Sequence, residues 1–394
     1  MYTIFILFTL TATCFADFSD RARNFSIELL HYSQLEADGH VVISPFGIWS
    51  LMTGITLGAT GESKSQIEKA FFLPKNEDTL VRGYKNLTKS VLEPQTYGVT
   101  LDIKNFVFLD KGFEINRNFQ NTLSTDFGAM IQTLNFKDPN AAANVANRLI
   151  GKYGATVSNV LQSQDFLKSR MILTNVISFK GLWSSPFNQT ETNLEPFYDE
   201  NKKEIGKVNM MYQRYQFPFS NMKAMGAMVL ELPYGVDQRY CMLVILPYPR
   251  NTVSSVYNTF ERVTFKDIFA QLKSDEEEFG LVDIDVKLPR FKISTNVVLN
   301  KPLNSMGVYD IFEPGRASFD KVTTEEIYIS AIVHKADIEV TEAGTVASAA
   351  TSAYFADRIA TPNFSANKPF LYFVMEKPTA TVIFSGIYSK PSVF

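Results

Sequence analysis

Three histidines, two cysteines and 41 acidic residues are the side chains of this 394-residue chain that could carry acid–base, nucleophilic or metal chemistry. A Ser-His-Asp or Cys-His hydrolase needs a base held against its nucleophile. His31 falls on a helical pattern, His40 in a polar turn and His334 in the strand-like run AIVHKADIEV. None lies near a Gly-x-Ser-x-Gly elbow, a motif the chain lacks, and no Gly-rich phosphate loop occurs. Asp283 and Asp285 alternate along a strand pattern and read as solvated carboxylates, as does the run Glu276-Glu277-Glu278 at a helix end. Cys241, inside RYCMLVILP, has no basic neighbour to activate it and reads as core. So few Cys and His exclude a disulfide framework and leave no set for structural zinc. The expectation is a protein that is not an enzyme and has no metal site and no cofactor.

Hydrophobic residues make up 45% and charged residues 20%, enough to bury a large core. With 38 basic and 41 acidic residues the formal charge is -3, which argues against a nucleic-acid partner. Tyr2 to Ala16 form an uncharged apolar run ending in small residues before Asp17, the pattern of a signal peptide cut after Ala16. The run is too short to span a bilayer comfortably, and no later stretch approaches ~20 apolar residues. The expectation is a signal peptide over 1–16, a mature domain over 17–394, secretion to the extracellular space and no membrane partner. Cleavage would remove Cys14 and leave Cys241 alone. Sequons at Asn24, Asn86, Asn188 and Asn363 are glycosylation candidates, two of which are expected to be used.

The elements that would position such groups follow from periodicity. Phe25, Leu29 and Leu30 share a helix face; Val41–Ile43 is a short strand; Ser44-Pro45 caps a helix carrying Ile48, Leu51, Met52 and Ile55 and stopping near Gly58. A further helix is predicted from Ser63 or Ser65 to Phe72, and another over NAAANVANRLIGKYG, ending in glycine. TLDIKNFVFLD reads as a strand, and MILTNVISFKGLW as a strand central in a sheet. Strands dominate after residue 205 (AMVLELPY, CMLVILP, LVDIDVKLPRFKI), with a helix at FKDIFAQLKSDEEE and final strands KPFLYFVME and TATVIFSGIY. No linker or repeat divides the chain, so one large α+β domain is expected.

One segment departs from this pattern. Ala343 to Ala353 reads AGTVASAATSA, all small residues bar one valine, with a single glycine, Gly344. Flexible linkers are richer in Gly, Ser, Pro or charge. Small uncharged residues are also what a packed sheet could accept as an added strand. A bulkier tip follows, Tyr354 to Ile359, with one arginine, an exposed bait for a trypsin-like protease.

At this point the sequence resembles the serpin family along nearly the whole mature chain. VVISPFGIWSLMTGITLGATGES, LTNVISFKGLW, MVLELPYG, VKLPRFKI, ISAIVHKADIEVTEAGT and the pair KPFLYFV and FSGIY occur in the family's order. The general character of the chain resembles an arthropod member. The resemblance implies one domain with about three β-sheets, eight or nine helices and an exposed reactive loop at about 343–362. It implies a single-use trap: the target protease cleaves the loop and is acylated, and the loop then inserts as a strand in the main sheet. The hinge would comprise Glu342, Gly344, Thr345, Val346, Ala347 and Ala349.

By the family's convention the seventeenth residue, counted with Glu342 as the first, is Arg358, which places the reactive bond at Arg358–Ile359. After insertion Thr345, Ala347, Ala349, Thr351, Ala353 and Phe355 would alternate inward. Val346 departs from the inhibitory pattern, where many members carry glutamate, and Asp357 beside the bond would narrow the target. Arg358 fits a pocket with a carboxylate at its base, so a trypsin-like serine protease is the implied covalent partner. Arg-Ile resembles a zymogen activation bond, which suggests an extracellular cascade of the haemolymph immunity or melanisation type. Lys85, Lys89 and Lys104 are the residues that could serve a glycosaminoglycan partner, but they read as ordinary solvated lysines. A monomer is expected. The competing reading is a non-inhibitory carrier, chaperone or storage member of the family.

Overall fold

The computed structural model describes residues 3–36, 40–92, 97–112, 114–152, 159–167, 169–343 and 361–392. Helix α1 (Thr3–Glu36) runs back as one helix beyond the expected cleavage position and buries Phe25, Leu29 and Leu30. Strand β1 (Val41–Ile43) leads into α2 (Pro45–Thr56), which starts where expected: the Ser44 hydroxyl accepts the Gly47 N–H at 3.2 Å and Pro45 occupies the first turn. Every residue of α2 is buried, so it is a core helix rather than an amphipathic one. There follow α3 (Gly61–Ala70), α4 (Glu77–Leu92), β2 (Val99–Asp110), α5 (Arg117–Phe127), β3 (Met130–Leu134), α6 (Pro139–Lys152) and β4 (Met171–Gly181). The glycine expected to end α6 lies outside the described residues.

Strands then dominate, as the alternation predicts: β5 (Asn193–Tyr198), β6 (Glu204–Gln216), β7 (Phe219–Met222), β8 (Ala227–Tyr234) and β9 (Tyr240–Pro247). Two helices, α7 (Val253–Tyr257) and α8 (Phe265–Phe279), precede β10 (Asp283–Pro289) and β11 (Phe291–Val298). The chain continues through α9 (Asn300–Ser305), β12 (Ile329–Val340), β13 (Asn363–Ser365), β14 (Phe370–Glu376) and β15 (Thr381–Tyr388).

Among the described residues there are three sheets and nine α-helices, an α+β architecture. The six-stranded sheet has the order β1-β15-β14-β9-β8-β7. Its central strands β9, β14 and β15 are buried at every position, which is why they read as unbroken apolar runs rather than alternating ones. Cys241 lies here, fully buried. The four-stranded sheet is β13-β10-β6-β5. The five-stranded sheet is β11-β12-β4-β2-β3, with β4 central as expected. One face of this sheet joins the main core through Leu173, Ile332, Ala336, Ile338 and Val340. On the other, Ala142, Ala143, Ala146 and Ile150 of α6 share a second core cluster with Phe106, Phe108, Val176 and Val333.

The reading of Asp285 as a solvated carboxylate is corrected. It accepts two bonds from Arg214 (Nε and Nη2, both 2.7 Å) and one from the Tyr212 hydroxyl at 2.7 Å. The cross-strand register of β6 and β10 sets Arg214 directly opposite it. Hydrogen bonding from the guanidinium holds its carboxyl below the usual range.

Candidate functional site

The middle of the five-stranded sheet holds two long strands running the same way. β12 pairs parallel with β4 from Ile329↔Met171 to Asp337↔Ser178. The pairing stops there, although both strands continue. In the strand ladders Ile338, Glu339 and Val340 pair with β11, while Phe179, Lys180 and Gly181 pair with β2. The sheet thus splays at the end from which the chain leaves β12. A segment turning back at that point would run antiparallel to both neighbours. Parallel ladders are slightly weaker per residue than antiparallel ones, and hairpin reversals suit antiparallel pairs. An added strand would therefore exchange one parallel ladder for two antiparallel ones. At ~1 kcal/mol net per hydrogen bond, the gain is on the order of 10 kcal/mol.

The point of departure is pinned. Glu342 is buried, and its Oε1 accepts the Thr192 hydroxyl at 2.7 Å and faces Arg290 Nη1 at 3.4 Å. Its carbonyl accepts the Phe187 N–H at 2.8 Å. The carbonyl of Thr341 accepts the Trp183 indole N–H at 2.8 Å. Trp183 is itself fixed by stacking on Tyr234, with ring centroids 4.2 Å apart. Residues 341–342 are thereby tied to the segment after β4 and to the β10–β11 turn. A buried carboxylate with charged and neutral donors is a fixed post, from which the following residues can swing.

A polar cluster lies deeper in the same slot. His334 faces Asn175 across the parallel pair. Its Nε2 accepts the Ser44 N–H at 2.9 Å. Asn175 donates to Asn105 Oδ1 at 2.8 Å, Asn105 donates to the Ser50 hydroxyl at 3.1 Å, and Ser50 shares a 2.7 Å bond with the Tyr84 hydroxyl. The chain of bonds links β4 and β2 to α2 and α4, and His334 links β12 to the start of α2. Burial drives the His334 imidazole down to about 3, so it is neutral here. A neutral acceptor in a sheet interior is a positioning group, not a general base. Parting β12 from β4 must disturb this cluster.

A family model described as serpin (serine protease inhibitor) matches residues 20–391. The chain belongs to the serpin family. It is 31% identical over 379 residues to leukocyte elastase inhibitor A of Rattus norvegicus, covering 93% of this chain and 97% of that protein. It is also 31% identical over 371 residues to antithrombin-III of Homo sapiens, covering 90% of this chain and 77% of that one. The crystal structure of native protease nexin-1 with heparin superposes with a TM-score of 0.81 at 26% identity, covering 96% of this chain and 100% of that chain. The expected serpin fold of three sheets, an α+β class, therefore stands. The family's description is that of serine protease inhibitors.

Of the expected hinge of this serpin, Glu342 lies at the anchored exit of β12. Gly344, Thr345, Val346, Ala347, Ala349, Arg358 and Ile359 lie outside the described residues. Beyond them, the Pro362 carbonyl accepts the Asp285 N–H at 2.9 Å. Asn24, Asn86, Asn188 and Asn363 are all exposed, on α1, on α4, after Phe187 and at the start of β13. The Asn188 Oδ1 accepts both the N–H and the hydroxyl of Thr190, at 3.1 and 2.9 Å. Lys85 is paired to Asp126 at 2.7 Å. Sequence reasoning missed Thr192, Arg290, Phe187 and the Ser44–Asn105–Asn175–His334 cluster. Arg290 and Trp183 stood inside quoted motifs, but their partner Glu342 is remote in sequence.

Proposed function

We propose that this serpin is a secreted, single-use inhibitor of a trypsin-like serine protease, cleaved between Arg358 and Ile359. The observation that carries the reading is the splayed end of the β4–β12 ladder beside the anchored Glu342. It offers a slot of the right polarity for a strand that begins at residue 343. The small side chains at Ala347, Ala349 and Ala353 suit the apolar face they would meet, which is lined by Ala336, Ile338 and Val340. Insertion then carries an acylated protease away from its docking place before the ester hydrolyses.

The start of the family match at residue 20 suits a domain that follows a removed leader. The four exposed sequons suit an extracellular, glycosylated protein, and a protease-cascade regulator of the haemolymph type is the setting that an Arg-Ile bond suits. A glycosaminoglycan is a subsidiary partner. Heparin accompanies native protease nexin-1, and α4 sets Arg82, Lys85 and Lys89 at spacings that share a face. The test is incubation with trypsin and chymotrypsin followed by denaturing gels. The wild type is expected to form a covalent complex with trypsin, and Arg358→Ala to lose it. A wild type that yields only cleavage products, or none, overturns the inhibitor reading and leaves the carrier, chaperone or storage reading.

A further inference from the structure

A cleft remote from the slot lies where three connections meet: the β5–β6 hairpin, the β9–α7 link and the β13–β14 link. It encloses about 340 Å³, within the range of small-molecule pockets. Tyr198, Pro247, Pro249 and Pro369 line it. Proline rings have fixed geometry and no N–H, so these walls are stiff and apolar. The walls are also tied together. The Tyr198 N–H donates to the Asn367 carbonyl at 2.9 Å, the Val253 N–H to Glu200 Oε1 at 2.7 Å, and Asn251 Nδ2 to the Gly226 carbonyl at 2.8 Å. The pocket is therefore preformed.

Its charges are unevenly satisfied. Asp199 Oδ1 accepts the N–H groups of Asn201 and Lys203, at 2.9 and 2.8 Å, and Glu200 Oε1 accepts the N–H of Val253, the first residue of α7. The two lysines at the cleft, Lys202 and Lys368, differ from these acids. Neither ammonium has a hydrogen bond or ion pair with another described residue. Lys202 sits in the left-handed region at φ 67°, a conformation that non-glycine residues rarely adopt. Burial lowers the pKa of Lys368; the charge of Glu200 opposes this and that of Lys202 adds to it. Two neighbouring ammonium groups, one of them partly desolvated, favour an anion between them. A second cavity of about 300 Å³ is also lined by Asp199, Glu200 and Pro369.

We infer that this cleft binds a small amphipathic anion, with a flat apolar body against Tyr198 and the three prolines and a carboxylate or sulfonate at Lys202 and Lys368. The probe is 1-anilinonaphthalene-8-sulfonate, titrated into the full-length protein and followed by fluorescence. N-phenyl-1-naphthylamine, the same aryl body without the sulfonate, is the uncharged comparison. The wild type is expected to bind one sulfonate probe, at least about tenfold more tightly than the uncharged one. The double variant Lys202→Gln, Lys368→Gln should weaken sulfonate binding by about tenfold or more and leave the uncharged probe unaffected. Lys203→Gln, which alters a lysine outside the lining, should bind like wild type, with all variants matched by circular dichroism. Three results each overturn the inference: no saturable binding, equal affinity for the two probes, or sulfonate affinity unchanged in the double variant. The last would place the probe on an exposed apolar patch such as Phe279–Val282.

Discussion

Replacing His334 by glutamine should flatten the acid side of this serpin's stability profile. The imidazole titrates near 6.5 when free and is driven to about 3 by full burial in the β4–β12 slot. A base depressed in the folded state contributes fully above its unfolded pKa and loses that contribution as pH falls toward the folded value. Between about pH 7.5 and about pH 5 the unfolded chain takes up a proton here and the folded one does not. Integrating the linkage gives a loss of about 2 kcal/mol over that interval, growing to on the order of 4 kcal/mol by pH 3. Glutamine does not titrate, and its side-chain carbonyl can accept the Ser44 N–H. The hydrogen-bonded side chains of Asn175, Asn105 and Ser50 do not titrate in this range either. The assay is guanidinium unfolding at each pH, followed by the fluorescence of Trp49 and Trp183. Wild type should lose about 2 kcal/mol more than the variant between the two pH values. Parallel profiles would refute the argument, because they would mean that His334 is protonated in the fold or is not desolvated.

Thr345→Arg should turn the inhibitor into a substrate, because a charge forced into the sheet interior costs several kcal/mol and slows insertion; gels should show cleavage at Arg358 without complex. Cleaved wild type should melt well above the intact protein by calorimetry, and equal melting temperatures would sink the insertion mechanism. Cys241 is fully buried and burial pushes its thiol well above the ordinary range, so the native protein should resist a disulfide reagent that labels the guanidinium-unfolded chain at once. Cys241→Ser should lower stability by ~1–3 kcal/mol with protease trapping intact. At Gly386, a Cβ would overlap the Tyr372 phenol and come within 2.6 Å of the Val41 carbonyl. Gly386→Ala should therefore cost at least ~3 kcal/mol, read as a loss of soluble yield and of melting temperature.

Strong local signals located most of the framework. Ser44-Pro45 opens α2, and the apolar runs of β4, β9, β14 and β15 are sheet interiors, because burial on both faces leaves its mark on neighbouring residues. The helix α3 begins at Gly61, two or four residues before the serines, Ser63 or Ser65, from which it is predicted. Weakly patterned elements such as α5, β3, β5 and β7 were invisible, because their half-exposed positions carry no clean period. The anchorage of Glu342 was beyond local reading for another reason. Thr192 and Arg290 reach it from 150 and 52 residues away. Asp285 failed in the same way: its partner Arg214 is brought opposite only by strand register.

The register of the outermost strands bears on how the chain reaches its native state. Val41–Ile43 pairs with Ser385–Ile387, so the six-stranded sheet joins the first of the described strands to the last. Contacts of such separation form slowly, and domains delivered from the N-terminus await their C-terminal residues. The five-stranded sheet, by contrast, uses nothing beyond Val340. During synthesis β12 can close on β4 before residues 344–360 exist to compete for the same edges. The order of synthesis thus favours the closed arrangement; on the proposed mechanism, the segment that would insert is made only after its place is taken. If cleavage by a protease frees that segment, as proposed, the molecule is a timer set by translation and triggered by proteolysis.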